Sequence, residues 1–141
     1  MLDAYRDLID ELLETPNAIR GLIGSRSEGD VSQEAKRLIA GVRDRDRAVL
    51  SRAQTMTRQS SPYVKALRLD DPAADEALPD LLAEMETARG DLVSLLINLS
   101  LKDWERLAIH ETEGEITLAD EIEQHVELDE AQRRRLQELL P

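Results

Sequence analysis

The sequence predicts an all-α fold, a single four-helix bundle spanning residues 1–141. Three observations carry that prediction. Aliphatic residues recur at helical spacing in four separate stretches, and none shows the alternation of a half-buried strand. Charged residues make up 34% of the chain, and the 41% that are hydrophobic are nearly all Leu, Ile, Val and Ala, which suits helices with one apolar stripe and a solvated back. No linker, repeat or low-complexity segment divides the 141 residues, a length that buries one real core.

The elements follow in order. Leu2, Tyr5, Leu8, Ile9, Leu12 and Leu13 mark one face of a first helix. That helix is expected to end before Pro16, because proline removes a backbone donor and disfavours helical geometry in its predecessor. Residues 17–23 add a short helical turn, and residues 24–29 form a loop. Asp30 is placed as the N-cap of a second helix carrying Val31, Ala35, Leu38, Ile39, Val42, Val49, Ala53 and Met56 on one side. Between Val42 and Val49 the seam holds Arg45 and Asp46 instead. Residues 59–77, with Pro62, Pro72 and the acidic pair Asp70 and Asp71, read as an irregular connection long enough to depart from simple up-and-down order. Pro79 suits the first turn of a third helix with the cleanest stripe, Leu78, Leu81, Leu82, Met85, Ala88, Leu92, Leu95, Leu96 and Leu99. Within it Gly90 costs about 1 kcal/mol relative to Ala. The adhesion-like tripeptide Arg89-Gly90-Asp91 falls inside this helix, not on a loop tip, and is read as chance. Ser100 caps a short turn bearing Trp104, and residues 108–116 form a connector. Thr117, with Asp120 three residues on, opens the fourth helix as a variant capping box.

The seam of this last helix reads Leu118, Ile122, His125, Asp129, Gln132, Leu136, Leu139, aliphatic at both ends and polar in the middle. Burying unpaired polar groups costs a few kcal/mol each. The middle of the helix therefore either turns towards water or lines a polar pocket. His125 and Asp129, four apart, share a face and with Gln132 offer a weak metal site or a small-ligand site; a partly exposed His125 bonded to Asp129 is the plainer alternative.

The net charge of −12 argues against nucleic acid and against anionic membrane surfaces, both of which need a cationic face. The one basic cluster, Arg133 to Arg135, points in three directions on a helix and reads as solvated surface. The absence of cysteine removes disulfides, thiolate ligands and Cys nucleophiles. No apolar run approaches the ~20 residues of a membrane span, and Met1 leads directly into an amphipathic segment. A cytoplasmic location is the expectation, which leaves the sequon at Asn98 without consequence. No phosphate-binding loop, HExxH or GxSxG motif occurs, and Ile122 stands where a di-iron bundle would need Glu three before His125. His110, beside Glu111 and Glu113, reads as a connector residue.

The run from Leu101-Lys102-Asp103-Trp104 to His110, followed by Gly114-Glu115-Ile116-Thr117-Leu118 and a helix bearing His125 and Asp129, resembles the C-terminal half of DinB/YfiT-like proteins. Upstream, Asp30-Val31-Ser32, the stretch Leu38 to Asp44, and Arg89 before Leu92 are similar to that family's second and third helices. The resemblance implies a four-helix bundle, often dimeric, in which many members hold a divalent metal with three histidines for thiol transfer or isomerisation. Residue by residue, those ligand positions fall on Gly41, Leu128 and Gln132, while the Asp that follows the first fourth-helix histidine is kept as Asp129. Gly and Leu offer no donor, and a Gln amide is a poor ligand for Zn or Ni.

The expected function is therefore that of a metal-free bundle, with no cofactor, acting as a small-ligand-binding or interaction module and a cytoplasmic homodimer. Its pocket is expected to be lined by Gly41, Arg45, His125, Leu128 and Gln132, with Asp129 alongside. The heptad count puts Asp129 inward, whereas the family mapping puts Leu128 inward with Gln132 beside it and His125 at the pocket margin, and the mapping is the expectation adopted. The alternative is an enzyme with a relocated site using His125 and Asp129 with Asp44 or Asp46; a third possibility is a subunit whose partner completes the site.

Overall fold

The computed structural model describes residues 3–141; Leu2, expected on the first helical face, lies outside the described residues. Four long helices form the bundle: α1 (Asp3–Ile23), α2 (Gln33–Arg58), α3 (Leu78–Ile97) and α5 (Leu118–Leu139), with a single-turn α4 (Leu101–Trp104) before the last. Three short strands complete the fold, β1 (Tyr63–Val64), β2 (Leu107–His110) and β3 (Gly114–Thr117), in the order β1-β2-β3. β2 and β3 are an antiparallel hairpin, and β1 joins β2 in parallel.

The helix order is not up-and-down. α1 and α2 each pack against both α3 and α5, so the sequence neighbours α1 and α2 stand diagonally across the bundle. Two apolar clusters give the directions. Ile9, Leu12, Val49, Met56, Leu92, Trp104 and Ile122 belong to one, and Ile19, Ile39, Leu81, Met85 and Leu136 to the other. α1 and α5 therefore run from the first cluster to the second, and α2 and α3 run the opposite way. The parallel pair α2 and α3 needs a chain that returns the length of the bundle, which is the task of residues 59–77.

Three local expectations change. The connector at residues 108–116 is a hairpin: Ala108 and Ile116 face the core as a cross-strand pair, and Gly114 takes the positive φ of 74° that closes the turn. His110 Nδ1 accepts the backbone N–H groups of Thr112 and Glu113 there. The second helix is capped by Ser32, which accepts the Ala35 N–H, while Asp30 closes a 3-10 turn begun by Ser27. Most consequentially, α1 does not stop at Pro16 but runs through it to Ile23, for a reason that lies on another helix. Thr117 and Asp120 form the reciprocal capping box their spacing predicts, and Ser100, expected as a cap, forms one with Asp103 as well.

Candidate functional site

The polar gaps in the helical seams meet. Between the two apolar clusters a layer of buried polar side chains crosses the bundle: Thr15 from α1, Asp46 from α2, Arg89 from α3, and His125 and Asp129 from α5, all within 4% exposure. Arg89 is its hub. Its Nη1 and Nη2 grip the Asp129 carboxylate at 2.7 and 2.8 Å, and its Nε donates to Asp46 at 3.0 Å. Nη2 also reaches Asp46 Oδ1 at 2.9 Å, and Nη1 donates to the Leu12 carbonyl at 2.7 Å. That carbonyl would ordinarily accept the N–H of residue 16, four residues on, but residue 16 is a proline. The guanidinium replaces the missing donor, so the helix survives its proline and lends the layer a backbone acceptor. Thr15 Oγ1 completes the set by donating to Asp129 Oδ2 at 3.1 Å. Burial alone would lower the Arg89 pKa, yet the bonds and charges of Asp129 and Asp46 hold it above its ordinary value.

His125 is 1% exposed and bonded at both ring nitrogens, to Asp46 and not to Asp129. Arg45 Nε donates to Nδ1 at 3.2 Å. A guanidinium can only donate, so Nδ1 accepts and the ring proton sits on Nε2, which donates to Asp46 Oδ1 at 2.7 Å. Asp46 thereby couples His125 to Arg89, and His125 couples Arg45 to the layer. Arg45 emerges from it half-buried; burial holds its guanidinium below the ordinary pKa, against the pull of Glu121, Asp129 and Asp46.

Beside the layer, between α2 and α5 and under residues 69–72, lies a cavity of about 610 Å³ lined in part by Gly41, Arg45, Leu128 and Gln132. Four of the six residues singled out from the sequence are thus brought together at one cavity. His125 and Asp129 are not: they lie inward of it, in the buried layer. Leu128 is partly buried at the cavity wall, Gln132 is exposed, and Asp129 faces the core, so the heptad count and not the family mapping describes the rotation of α5. A smaller cavity of about 220 Å³ adjoins, sharing Arg45 and Leu128 and adding Arg52, His110, Glu121 and Gln124. Arg52 and Glu121 are paired there at 3.0 Å.

Two members of the layer escape sequence reasoning. Arg89 sits beside the cleanest apolar stripe, and Thr15 looks like a residue at a helix end. The available signal was complementarity: the Arg45-Asp46 gap on one helix needs partners that the His125–Asp129 gap on another only partly supplies. Asp44, named in the alternative site, points elsewhere and pairs with Arg43 at 2.9 Å.

No family model and no curated protein matches the sequence. Among solved structures, YfiT from Bacillus subtilis, described as a probable metal-dependent hydrolase with an unusual four-helix bundle topology, matches with a TM-score of 0.79. The match covers 99% of this chain and 87% of that one at 17% identity. The fold is that of YfiT. Sequence identity at that level speaks for architecture and leaves chemistry to the residues.

Those residues do not fit a resident metal at the positions the family resemblance indicates. Gly41 has no side chain, and a Cβ added there would meet Pro72 Cγ at 3.6 Å. Leu128 has no donor atom, and Gln132 offers an amide. Among the described residues no group of three or more His, Cys, Asp or Glu is arranged to hold a metal ion, and none of their helices is long and apolar enough to cross a membrane.

Proposed function

We propose that this chain is a metal-free YfiT-type bundle that holds a small organic ligand in the cavity between α2 and α5, acting as a cytoplasmic homodimer. One observation carries the reading. Positions 41, 128 and 132, where the resemblance puts metal-binding histidines, converge on one cavity of about 610 Å³ but present hydrogen, isobutyl and carboxamide groups. That volume falls in the range of small-molecule sites, and a wall mixing Leu38, Pro72, Leu128 and Leu139 with a few polar groups has their usual character. A metal-dependent hydrolysis of the kind ascribed to YfiT lacks its donors here. The rival use of His125 and Asp129 would require breaking bonds at both ring nitrogens and both carboxylate oxygens inside the buried layer.

Purified protein is expected to carry no stoichiometric Zn, Ni or Fe, and EDTA should shift its melting temperature by less than about 2 °C, since stripping an unbound metal removes no binding energy. Stoichiometric metal would overturn the reading. Replacing Gly41, Leu128 and Gln132 together by His should create micromolar or tighter Zn or Ni affinity; a folded triple variant without it would show that the three positions do not converge as described. Ligands found in a thermal-shift panel should stabilise the native chain but not Leu128→Trp, whose bulkier indole intrudes on the cavity. The dimer is tested by light scattering.

A further inference from the structure

We propose that the α2–α5 cavity recognises an organic monocarboxylate with an apolar body, and that Arg45 is the residue that binds its carboxylate. The inference rests on the reading that this cavity takes a small ligand, and it names the ligand's chemical class.

Three arginines whose side chains are under a tenth exposed are each neutralised by a carboxylate: Arg43 by Asp44 at 2.9 Å, Arg52 by Glu121 at 3.0 Å, and Arg89 by Asp129 at 2.7 Å. In a chain with 30 acidic and 18 basic residues, such partners are plentiful. Arg45 is half-buried and, among the described residues, has no carboxylate within ion-pair distance; its one hydrogen bond is the donation from Nε to His125. Its two Nη groups retain four N–H donors, and its side chain lines both cavities. A guanidinium fork matches a carboxylate in geometry and charge, and a charge-assisted pair is strongest where water is partly excluded.

The fork is also held in place. His125 pins Nε, Asp46 pins His125, and Arg89 pins Asp46, so the donor edge is positioned by the same layer that crosses the core. A ligand meeting Arg45 therefore finds an ordered donor pair, which reduces the ordering cost of binding. The rest of the cavity sets the class. Leu38, Pro72, Leu128 and Leu139 offer an apolar wall, which calls for a hydrocarbon or aryl body. Glu34, Asp70 and Asp71 stand at the exposed rim with Arg37 and Arg135, and Glu34 is already taken by Arg135 at 2.8 Å. Three carboxylates at the entrance outnumber its two guanidinium groups, which disfavours polyanions such as nucleotides and leaves a single negative charge as the best fit for the half-buried, carboxylate-free Arg45.

Calorimetric titration with octanoate and 4-phenylbutyrate, each beside its neutral amide, tests the assignment, with inorganic pyrophosphate as the polyanion. The native chain is expected to bind the acids at least about tenfold more tightly than the amides and pyrophosphate not measurably. Leu128→Trp should abolish acid and amide binding together. Arg45→Gln should bring acid and amide within about twofold of each other while amide binding persists; Arg45→Lys, which keeps the charge but not the fork, should reduce the preference and serves if the Gln variant does not fold. Equal binding of acid and amide by the native chain, both lost in Leu128→Trp, would overturn the carboxylate assignment and leave the ligand cavity standing. Full acid preference in a folded Arg45 variant would overturn the role of Arg45. No binding of either, or binding indifferent to Leu128→Trp, would overturn both the assignment and the reading beneath it.

Discussion

Arg89 has five N–H groups on one planar fork, and acceptors from three other helices surround it: the Asp46 and Asp129 carboxylates and the Leu12 carbonyl. Such a residue is difficult to replace alone, because removing it leaves two buried carboxylates facing each other. Arg89→Met is expected to cost about 3–5 kcal/mol, the usual penalty for breaking a buried ion pair from one side. Urea unfolding at neutral pH checks this, and a loss below about 1 kcal/mol would mean that water or rearrangement replaces the guanidinium at little expense. The larger part of this layer was legible in the sequence. Arg45, Asp46, His125 and Asp129 stand out as polar interruptions of aliphatic seams, and burial explains them all. Their partners were not legible, because Thr15 reaches Asp129 across 114 positions and Arg89 across 40, separations at which local patterns carry no signal. The rotation of α5 was ambiguous by one residue for the same reason: Leu128 and Asp129 are adjacent, and only the presence of Arg89 makes the polar one the inward one.

Helix ends show the same division between local and distant causes. α5 and α4 begin with side-chain caps that accept the backbone N–H three residues on, and both are legible. α3 begins after Ala77, which has no capping side chain; the Leu78 N–H donates instead to Glu28, which also accepts from Lys36 Nζ. The Lys36 bond first, and the Leu78 bond after it, hold the Glu28 pKa below its ordinary 4.5. A folded-state pKa below the unfolded one means that the contribution is present above pH 4.5 and is lost as the pH falls through the folded value. Glu28→Gln should therefore lower the melting temperature at neutral pH, by a margin that shrinks as the pH drops below 4.5; a pH-independent margin would contradict the cap. Gly90, exposed in the middle of α3 with nothing within 4 Å of an added Cβ, makes a cleaner test. Gly90→Ala should raise stability by about 0.5–1 kcal/mol, read from the same unfolding curves. The hairpin and the uninterrupted α1 were not legible. Strands of four residues or fewer are held by backbone bonds such as Ile109 N–H to the Pro62 carbonyl, and α1 owes its continuity past Pro16 to Arg89.

Across the whole molecule the polar layer divides the bundle into two apolar halves, and every long helix contributes one polar turn to it: residue 15, residues 45–46, residue 89 and residues 125–129. The apolar halves consist largely of interchangeable aliphatic residues, which tolerate sliding of one helix past another by a turn. The polar layer does not, because a one-turn shift of α2, α3 or α5 would strand a buried charge and a shift of α1 would remove buried hydrogen-bond partners. This makes the layer a device for alignment, and alignment matters in a bundle whose sequence-adjacent helices α1 and α2 are diagonal and whose α2 and α3 run parallel, since simple hairpin pairing does not enforce that order. Stability and uniqueness can be separated by replacing the layer as a unit, Asp46→Leu, Arg89→Met, His125→Leu and Asp129→Leu together. Buried ion networks exchanged for apolar groups of similar volume are often neutral or stabilising by about 1–4 kcal/mol, so the quadruple variant should be far more stable than Arg89→Met, even though the Leu12 carbonyl and the Thr15 hydroxyl lose their partners. Its helices, however, lose the one feature that distinguishes correct from shifted packing, and Arg45 loses the histidine that positions it. The expected result is a helical, stable protein with broadened side-chain NMR signals and no preference for acid over amide at the cavity. Sharp native-like spectra with that preference intact would show that alignment resides in the apolar halves after all.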